Sequence, residues 1–284
     1  MRAQGLSEQD FKTLQGALFE RAQQEKLCPR QAQAGPRDIF LSSYSRHGEH
    51  LGIIGKDGCA LLVFAGCALR CRGCLYHRWA FDLEGLRKTP EQIAKILLRA
   101  QEQGNKRVVF MNASHIADLL IPAIQKAIAD GFSLPLVWYT HGYEYPETLA
   151  LLAQVFDIFA VDFKFADPGY AEYYLGAYDY IQRLFEATLW LDQNLGPLVV
   201  EDDEPKSGYV LRHLYLPGQA KQTELALRWI AQNLGTDTYV EIVSSFVPAY
   251  MSDQVGLTRR TTVQDIETLK ALVRKLKMTS VQFV

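Results

Sequence analysis

Short apolar runs alternate with longer amphipathic segments through most of the chain. The runs are rich in Val, Leu, Ile and aromatic residues and have the length of buried strands. They occupy residues 60–64, 107–111, 134–139, 157–163, 209–216 and 238–243. Helical spacing of apolar residues follows each run, at residues 89–103, 115–130, 146–155, 178–194, 221–234 and 262–277. Residues 281–284 add a short final strand.

This alternation predicts the fold class. Strands separated by helices form a parallel sheet with right-handed crossovers. Six strand–helix units are fewer than the eight of a closed barrel. We therefore predict an α/β protein, an open, partial (β/α)6 TIM-like barrel at residues 57–284. Residues 1–56 are predicted to be an N-terminal extension, in which a helix at 7–26, capped by Ser7, precedes an irregular segment that wraps the barrel.

Composition and charge narrow the class of protein. The chain has 284 residues, of which 48% are hydrophobic and 22% charged, which are globular values. A net charge of −2 gives no reason to expect a nucleic-acid or membrane partner. No apolar run approaches the roughly 18 residues of a membrane-spanning helix, and residues 1–6 lack the apolar segment of a signal peptide. Clustered thiols suit a reducing compartment, so we expect a cytoplasmic protein.

Three of the five cysteines lie close together, directly after the first apolar run. Cys67, Cys71 and Cys74 have the spacing C-x3-C-x2-C. A fully ligated 4Fe–4S cluster takes four cysteines, so three would leave one iron open to a small molecule. Zinc held by these cysteines and His77 is one alternative, and ordinary buried thiols are another. The tight clustering argues against ordinary buried thiols, and the ligand set and its context favour the iron–sulfur cluster over zinc.

Polar residues mark the ends of later strands, where the chemistry of parallel barrels lies. These candidate cofactor contacts are Asn112, Ser114, Asp162, Lys164 and Arg212. Asp162 and Lys164 are two residues apart and share one face of their strand, where a simple salt bridge is the alternative role. Ser114 could equally cap the next helix. Arg212 lies in an apolar strand and needs an anionic partner, for which neighbouring Asp162 is one candidate.

With these features the chain resembles the radical S-adenosylmethionine superfamily. The C-x3-C-x2-C motif at the end of the first barrel strand is the signature of that superfamily. The Asp-x-Lys at 162–164 and Leu-Arg-His-Leu-Tyr-Leu-Pro-Gly at 211–218 are similar to motifs of its pyruvate formate-lyase activating-enzyme-like branch. The likeness covers residues 27 to about 250.

The resemblance implies a function. The three cysteines would hold a 4Fe–4S cluster whose open iron binds S-adenosylmethionine, and the five strand-end residues would contact that second cofactor. Reductive cleavage would give a 5′-deoxyadenosyl radical that abstracts hydrogen, in this branch from a glycine of a partner protein. The family also implies a reductant such as flavodoxin or ferredoxin.

The chain departs from the branch at several cofactor contacts. Gly73 stands where an aromatic residue usually precedes the third cysteine. Residues 112–114 read Asn-Ala-Ser in place of Gly-Gly-Glu. Because the cluster ligands are intact while other contacts differ, the alternative function is a non-catalytic iron–sulfur protein for electron transfer, sensing or interaction.

The cluster hypothesis predicts distinct behaviour of the five cysteines. Anaerobic reconstitution should give roughly four irons per chain and a broad charge-transfer absorption, as for one cubane cluster. Cys71→Ala should abolish both signals, whereas Cys28→Ala and Cys59→Ala should keep them. Stoichiometric zinc without iron in the natively isolated protein would contradict the cluster.

Overall fold

The structure, a computed structural model, describes residues 1–45 and 49–284. Its described strands are β1 (Phe40–Ser45), β2 (Cys59–Phe64), β3 (Leu86–Arg87), β4 (Arg107–Met111), β5 (Leu136–Thr140), β6 (Ile158–Asp162), β7 (Val199–Glu201), β8 (Glu204–Leu214), β9 (Val240–Val243) and β10 (Val281–Phe283). Its described helices are α1 (Glu8–Gln23), α2 (Gln31–Ala34), α3 (His77–Ala80), α4 (Pro90–Glu102), α5 (Ala117–Ala129), α6 (Pro146–Leu152), α7 (Pro168–Leu175), α8 (Tyr180–Leu195), α9 (Ala220–Asn233) and α10 (Val263–Lys275).

One sheet organises the chain, in the order β10-β9-β8-β6-β5-β4-β2-β1-β3, with β7 paired to β8. Neighbours from β10 to β2 are parallel, and β1 and β3 add an antiparallel edge. Within the described residues the two ends of this order do not pair, so the sheet stays open. The predicted α/β fold with an open, partial barrel is confirmed.

The parallel strands are buried on both faces, which explains why their sequences read as continuous apolar runs. Alternate residues separate into two clusters. In β2, Leu62 and Phe64 join the large cluster that includes apolar residues of the helices. Leu61 and Val63 join a smaller cluster on the opposite, concave side of the sheet. The concave side therefore has a hydrophobic core of its own.

A short segment of the N-terminal extension fills part of this concave side. We call residues Glu49–Gly55 the barrel plug. Leu51 and Ile54 are buried in the concave cluster, and Ile53 N donates to Glu241 Oε1 at 2.6 Å. The extension was predicted to wrap the barrel, but this part of it packs inside. The domain boundary after residue 56 remains a prediction.

The extension also contains a strand where the sequence predicts irregular structure. β1 pairs with β2 through Leu41↔Phe64 and Tyr44↔Leu62, and its register shifts between Leu41 and Ser43. Three of its six residues are serine, so its pairing with β2, rather than its own apolar pattern, makes it a strand. At the start of α1 the predicted Ser7 cap is confirmed. No helix of the described residues is long and apolar enough to cross a membrane.

The plug leads to a prediction about Gly52. This residue has φ +61, and a Cβ there would collide with the Glu241 carboxylate. We expect Gly52→Ala to lower the free energy of unfolding by about 2–4 kcal/mol, through backbone strain and overpacking together. Chemical denaturation measures this change.

Gly104→Ala is the matched control for Gly52→Ala. Gly104 also has a positive φ, +77, but nothing lies within 4 Å of the position that a Cβ would take there. We expect a loss of about 1 kcal/mol from strain alone. Equal losses in the two variants would contradict the close packing of the plug on Glu241.

Candidate active site

A cavity of about 430 Å³ lies where the parallel strands end. It brings together seven of the eight predicted site residues: Cys67, Cys71, Cys74, Asn112, Asp162, Lys164 and Arg212. Much of the remaining lining is apolar, including Leu51 of the plug and Phe246 and Leu257 from the segment after β9. The cavity thus combines thiols and charged groups with a hydrophobic wall.

The cysteine loop, residues 65–76, is held by backbone hydrogen bonds. Arg70 N donates to Leu175 O and Arg72 N to Tyr174 O, both at 2.8 Å, which ties the loop to the end of α7. Gly66 has φ +100, and a Cβ there would collide with the carbonyl oxygen of Ala34. Close approach of α2 therefore requires glycine at this turn. The loop geometry is set by the protein chain itself.

The thiols of the cysteine loop need positive charge to ionise. Burial raises the pKa of Cys74 to about 11 and also raises that of Cys71. Burial opposes ionisation of Cys67 too, but the adjacent His141 lowers its pKa. A bound metal centre supplies the charge that thiolate ligands require. The donor set therefore fits a metal centre held by three cysteines.

The donor arrangement bears on the kind of metal centre. Among the residues the structure describes, no three His, Cys, Asp or Glu side chains converge closely enough to hold one metal ion. The ring of His77, the fourth ligand of the zinc alternative, stacks on Tyr250 with 4.8 Å between ring centroids. The three thiols and the His77 ring therefore do not form a closed four-ligand zinc site among the described residues.

Asp162 is the centre of a hydrogen-bonded group in the cavity wall. It accepts from Lys164 Nζ at 2.8 Å and from the Tyr139 hydroxyl at 2.6 Å, and its Oδ2 is 3.4 Å from His141 Nδ1. Burial alone would raise the pKa of Asp162, but Lys164 and His141 together hold it well below its usual range. Asp162 is therefore an ionised acceptor facing the cavity.

The anionic partner of Arg212 is Glu241, on the neighbouring strand β9. Its Nη1 is 3.1 Å from Glu241 Oε2, and both side chains are almost inaccessible, at 3% and 0% exposure. Arg212 pairs in register with Asp162 of β6 on one flank and with Glu241 of β9 on the other. The suggestion that Asp162 is the ion-pair partner is wrong, because Lys164 pairs with Asp162.

Asn112 and Ser114 follow the end of β4, and both line a second, small cavity, but only Asn112 also lines the main one. Asn112 has φ +60, and its Oδ1 is 2.9 Å from His141 Nε2. The Ser114 hydroxyl donates to the Glu144 carboxylate beside this small cavity, whose volume is about 20 Å³. Ser114 makes no side-chain cap bond at the following helical turn. Its capping role is therefore wrong, and it does not line the main cavity.

Sequence reasoning missed three polar residues of this region. His141 directly follows β5, and the rule that singles out strand ends would have identified it. Tyr139 lies within β5, where it reads as a core aromatic. Glu241 lies in the middle of an apolar strand, and no local signal connects it with Arg212.

Comparison with known proteins gives a distant relative and a shared fold. No protein-family model matches the chain. Uncharacterized protein MJ0674 of Methanocaldococcus jannaschii is 25% identical over 265 residues, which cover 88% of this chain and 72% of that protein.

Three solved structures have a similar fold. Streptococcus suis SuiB has a TM-score of 0.53 and 14% identity over 79% of this chain and 48% of its own. HydG, a maturase of the [FeFe]-hydrogenase, has a TM-score of 0.51 and 16% identity, and the match covers 99% of this chain and 63% of HydG. Methylornithine synthase (PylB) has a TM-score of 0.51 and 13% identity, and the match covers 99% of this chain and 84% of PylB. The chain thus spans about half the length of SuiB, and at these identities the likeness is one of fold.

The ion pair between Lys164 and Asp162 leads to a prediction about Lys164. Lys164→Met would leave Asp162 without its lysine partner, in a site where Asp162 is only 22% exposed. Breaking a fully buried pair costs about 3–5 kcal/mol, so in this partly exposed site we expect the free energy of unfolding to fall by about 2 kcal/mol. Denaturation of the ligand-free protein measures the change, and adding Asp162→Asn should recover part of it.

Lys126→Met is the control for Lys164→Met. Lys126 pairs with Asp130 at 3.0 Å on the surface, where both side chains are about half exposed. Such pairs contribute roughly 0.3–0.5 kcal/mol. Similar losses in the two variants would mean that the cavity pair behaves as a surface pair.

Proposed function

We propose that the chain is a radical S-adenosylmethionine protein. Cys67, Cys71 and Cys74 would hold a 4Fe–4S cluster, and S-adenosylmethionine would bind beside it in the cavity. The observation that carries the proposal is the meeting of these cysteines with Asp162, Lys164 and Arg212 at the carboxyl end of an open barrel. The three solved structures of similar fold are radical S-adenosylmethionine enzymes, which supports the same superfamily and the same two cofactors.

The residues of the cavity suit the chemistry of this pair of cofactors. When bound by Cys67, Cys71 and Cys74, a reduced 4Fe–4S cluster would supply the electron for cleavage of the sulfonium of S-adenosylmethionine to methionine and a 5′-deoxyadenosyl radical. Arg212 offers a planar guanidinium that fits a carboxylate. Asp162 and Lys164 offer a charged acceptor and donor for the polar parts of the ligand. The apolar part of the lining, which includes Phe246 and Leu257, would reduce the amount of water around the bound ligand.

At a finer level, we propose an enzyme of the activating-enzyme-like branch that abstracts hydrogen from a glycine of a partner protein. The support is the similarity of the motifs at 162–164 and 211–218 and the opening of the cavity at the strand ends. A cytoplasmic flavodoxin or ferredoxin would supply the electron. Residues 57–284 would form the catalytic barrel, and residues 1–56 its extension.

A second candidate is a non-catalytic iron–sulfur protein on the same barrel. The observation that favours it is the changed contact at the end of β4. Residues 112–114 are Asn-Ala-Ser and offer no carboxylate for the ammonium of S-adenosylmethionine. Ser114 in addition donates its hydroxyl to Glu144 and does not line the main cavity.

Product analysis distinguishes the two candidates. Reconstituted protein incubated with S-adenosylmethionine and dithionite without oxygen should form 5′-deoxyadenosine and methionine in equal amounts. Cys71→Ala should form neither, because it cannot hold the cluster. Cys59→Ala, a substitution of a buried thiol in β2, should keep the activity. A fully loaded cluster that yields no 5′-deoxyadenosine would favour the non-catalytic candidate.

A further inference from the structure

The ion pair behind the cavity joins the barrel plug to the cavity wall. Arg212 lines the cavity, and Glu241 pairs with it from β9. The same Glu241 carboxylate accepts the Ile53 N–H at 2.6 Å. One oxygen of Glu241 thus contacts the plug while the other contacts Arg212. This connection links a segment that precedes the cysteine loop to the charge in the cavity.

Arg212 needs such a support to present its guanidinium in one orientation. An arginine side chain has several rotatable bonds, and fixing them has an entropy cost. Glu241 contacts Nη1, and Cζ lies 5.6 Å from the centroid of the Tyr139 ring. The Tyr139 hydroxyl is in turn bonded to Asp162. The guanidinium is therefore held from behind by Glu241 and from the side by Tyr139.

Glu241 is itself held tightly. It is fully buried, and the plug backbone approaches it at Gly52, where a side chain would collide with its carboxylate. One oxygen of the carboxylate accepts a hydrogen bond from the plug, and the other lies at ion-pair distance from Arg212, so a shift of the carboxylate would shift its charge relative to the guanidinium. If Glu241 served only to balance the charge of Arg212, neither its hydrogen bond to Ile53 nor the close approach of Gly52 would be needed.

We infer that Glu241 is a positioning residue for S-adenosylmethionine: anchored by the plug, it holds Arg212 where the guanidinium meets the ligand carboxylate. The inference rests on the proposed function. It assigns to Glu241 and the plug a part in selecting a ligand that carries a carboxylate. Glu241 itself touches Arg212 and the plug, while Arg212 makes the contact with the ligand.

Glu241→Asp tests the inference, because it keeps the charge and withdraws the carboxylate by one methylene. Calorimetry on reconstituted protein would use two probes, S-adenosylmethionine and its decarboxylated analogue. We expect about tenfold weaker binding of S-adenosylmethionine, as for a lost charge-assisted hydrogen bond. Binding of the decarboxylated analogue should change less than about twofold, since it has no carboxylate for Arg212 to meet. Unchanged affinity for both probes, or an equal loss for both, would overturn the inference.

Asp118→Glu is the matched control, a charge-preserving change of length at another buried acid. Asp118 lies in α5 and pairs with Arg37 at 2.6 Å, with 2% exposure. Asp118→Glu should lose stability but keep the wild-type affinity for both probes.

If Glu241→Asp fails to fold, Gly52→Ala at low temperature is the second variant, because it displaces the same carboxylate from the plug side. It should give the same selective loss of affinity for S-adenosylmethionine. Wild-type affinity of Gly52→Ala for S-adenosylmethionine would overturn the inference.

Arg212→Lys separates failure of the inference from failure of the proposed function. If the wild-type protein binds neither probe, the proposed function fails. If Arg212→Lys keeps full affinity for S-adenosylmethionine, the carboxylate contact fails and the inference with it. If Arg212→Lys loses affinity while Glu241→Asp keeps it, the proposed function stands and Glu241 is only a structural partner.

Discussion

The pairing of charges on the concave side of the barrel is the constraint on which the site depends. Asp162, Lys164, Arg212 and Glu241 stand among strands buried on both faces, and charges left alone there would be costly. Lys164 balances Asp162, and Glu241 balances Arg212. Because β6, β8 and β9 place three of these residues side by side, a slip in register between β8 and β9 would separate Arg212 from Glu241.

Two segments outside these strands complete the cavity. The plug closes the concave side and contacts Glu241. The cysteine loop is tied to α7 by backbone hydrogen bonds. The site thus combines rigid strands, which carry the charges, with connecting segments, which carry the thiols and cover the interior. Such preorganisation reduces the ordering cost of binding a flexible ligand.

The sequence predicted the parts of this structure that local patterns determine. The alternation of apolar runs and amphipathic segments predicted the open barrel. The strand-end rule led to Asn112, Asp162, Lys164 and Arg212, which meet in one cavity, and to Ser114, which does not line it. Contacts between distant parts of the chain were not predictable. Ile53 and Glu241 are 188 positions apart, and neither carries a local signal of their contact. β1 was missed because its serine-rich sequence becomes a strand only through pairing with β2.

The most direct measurement is the electron paramagnetic resonance spectrum of the reduced, reconstituted protein before and after addition of S-adenosylmethionine. The three proposed cysteine ligands would leave one iron open, so binding of the amino and carboxylate groups of S-adenosylmethionine to that iron should shift the g-values of the proposed cluster. A cluster that forms fully but whose spectrum stays the same at saturating S-adenosylmethionine would contradict the account.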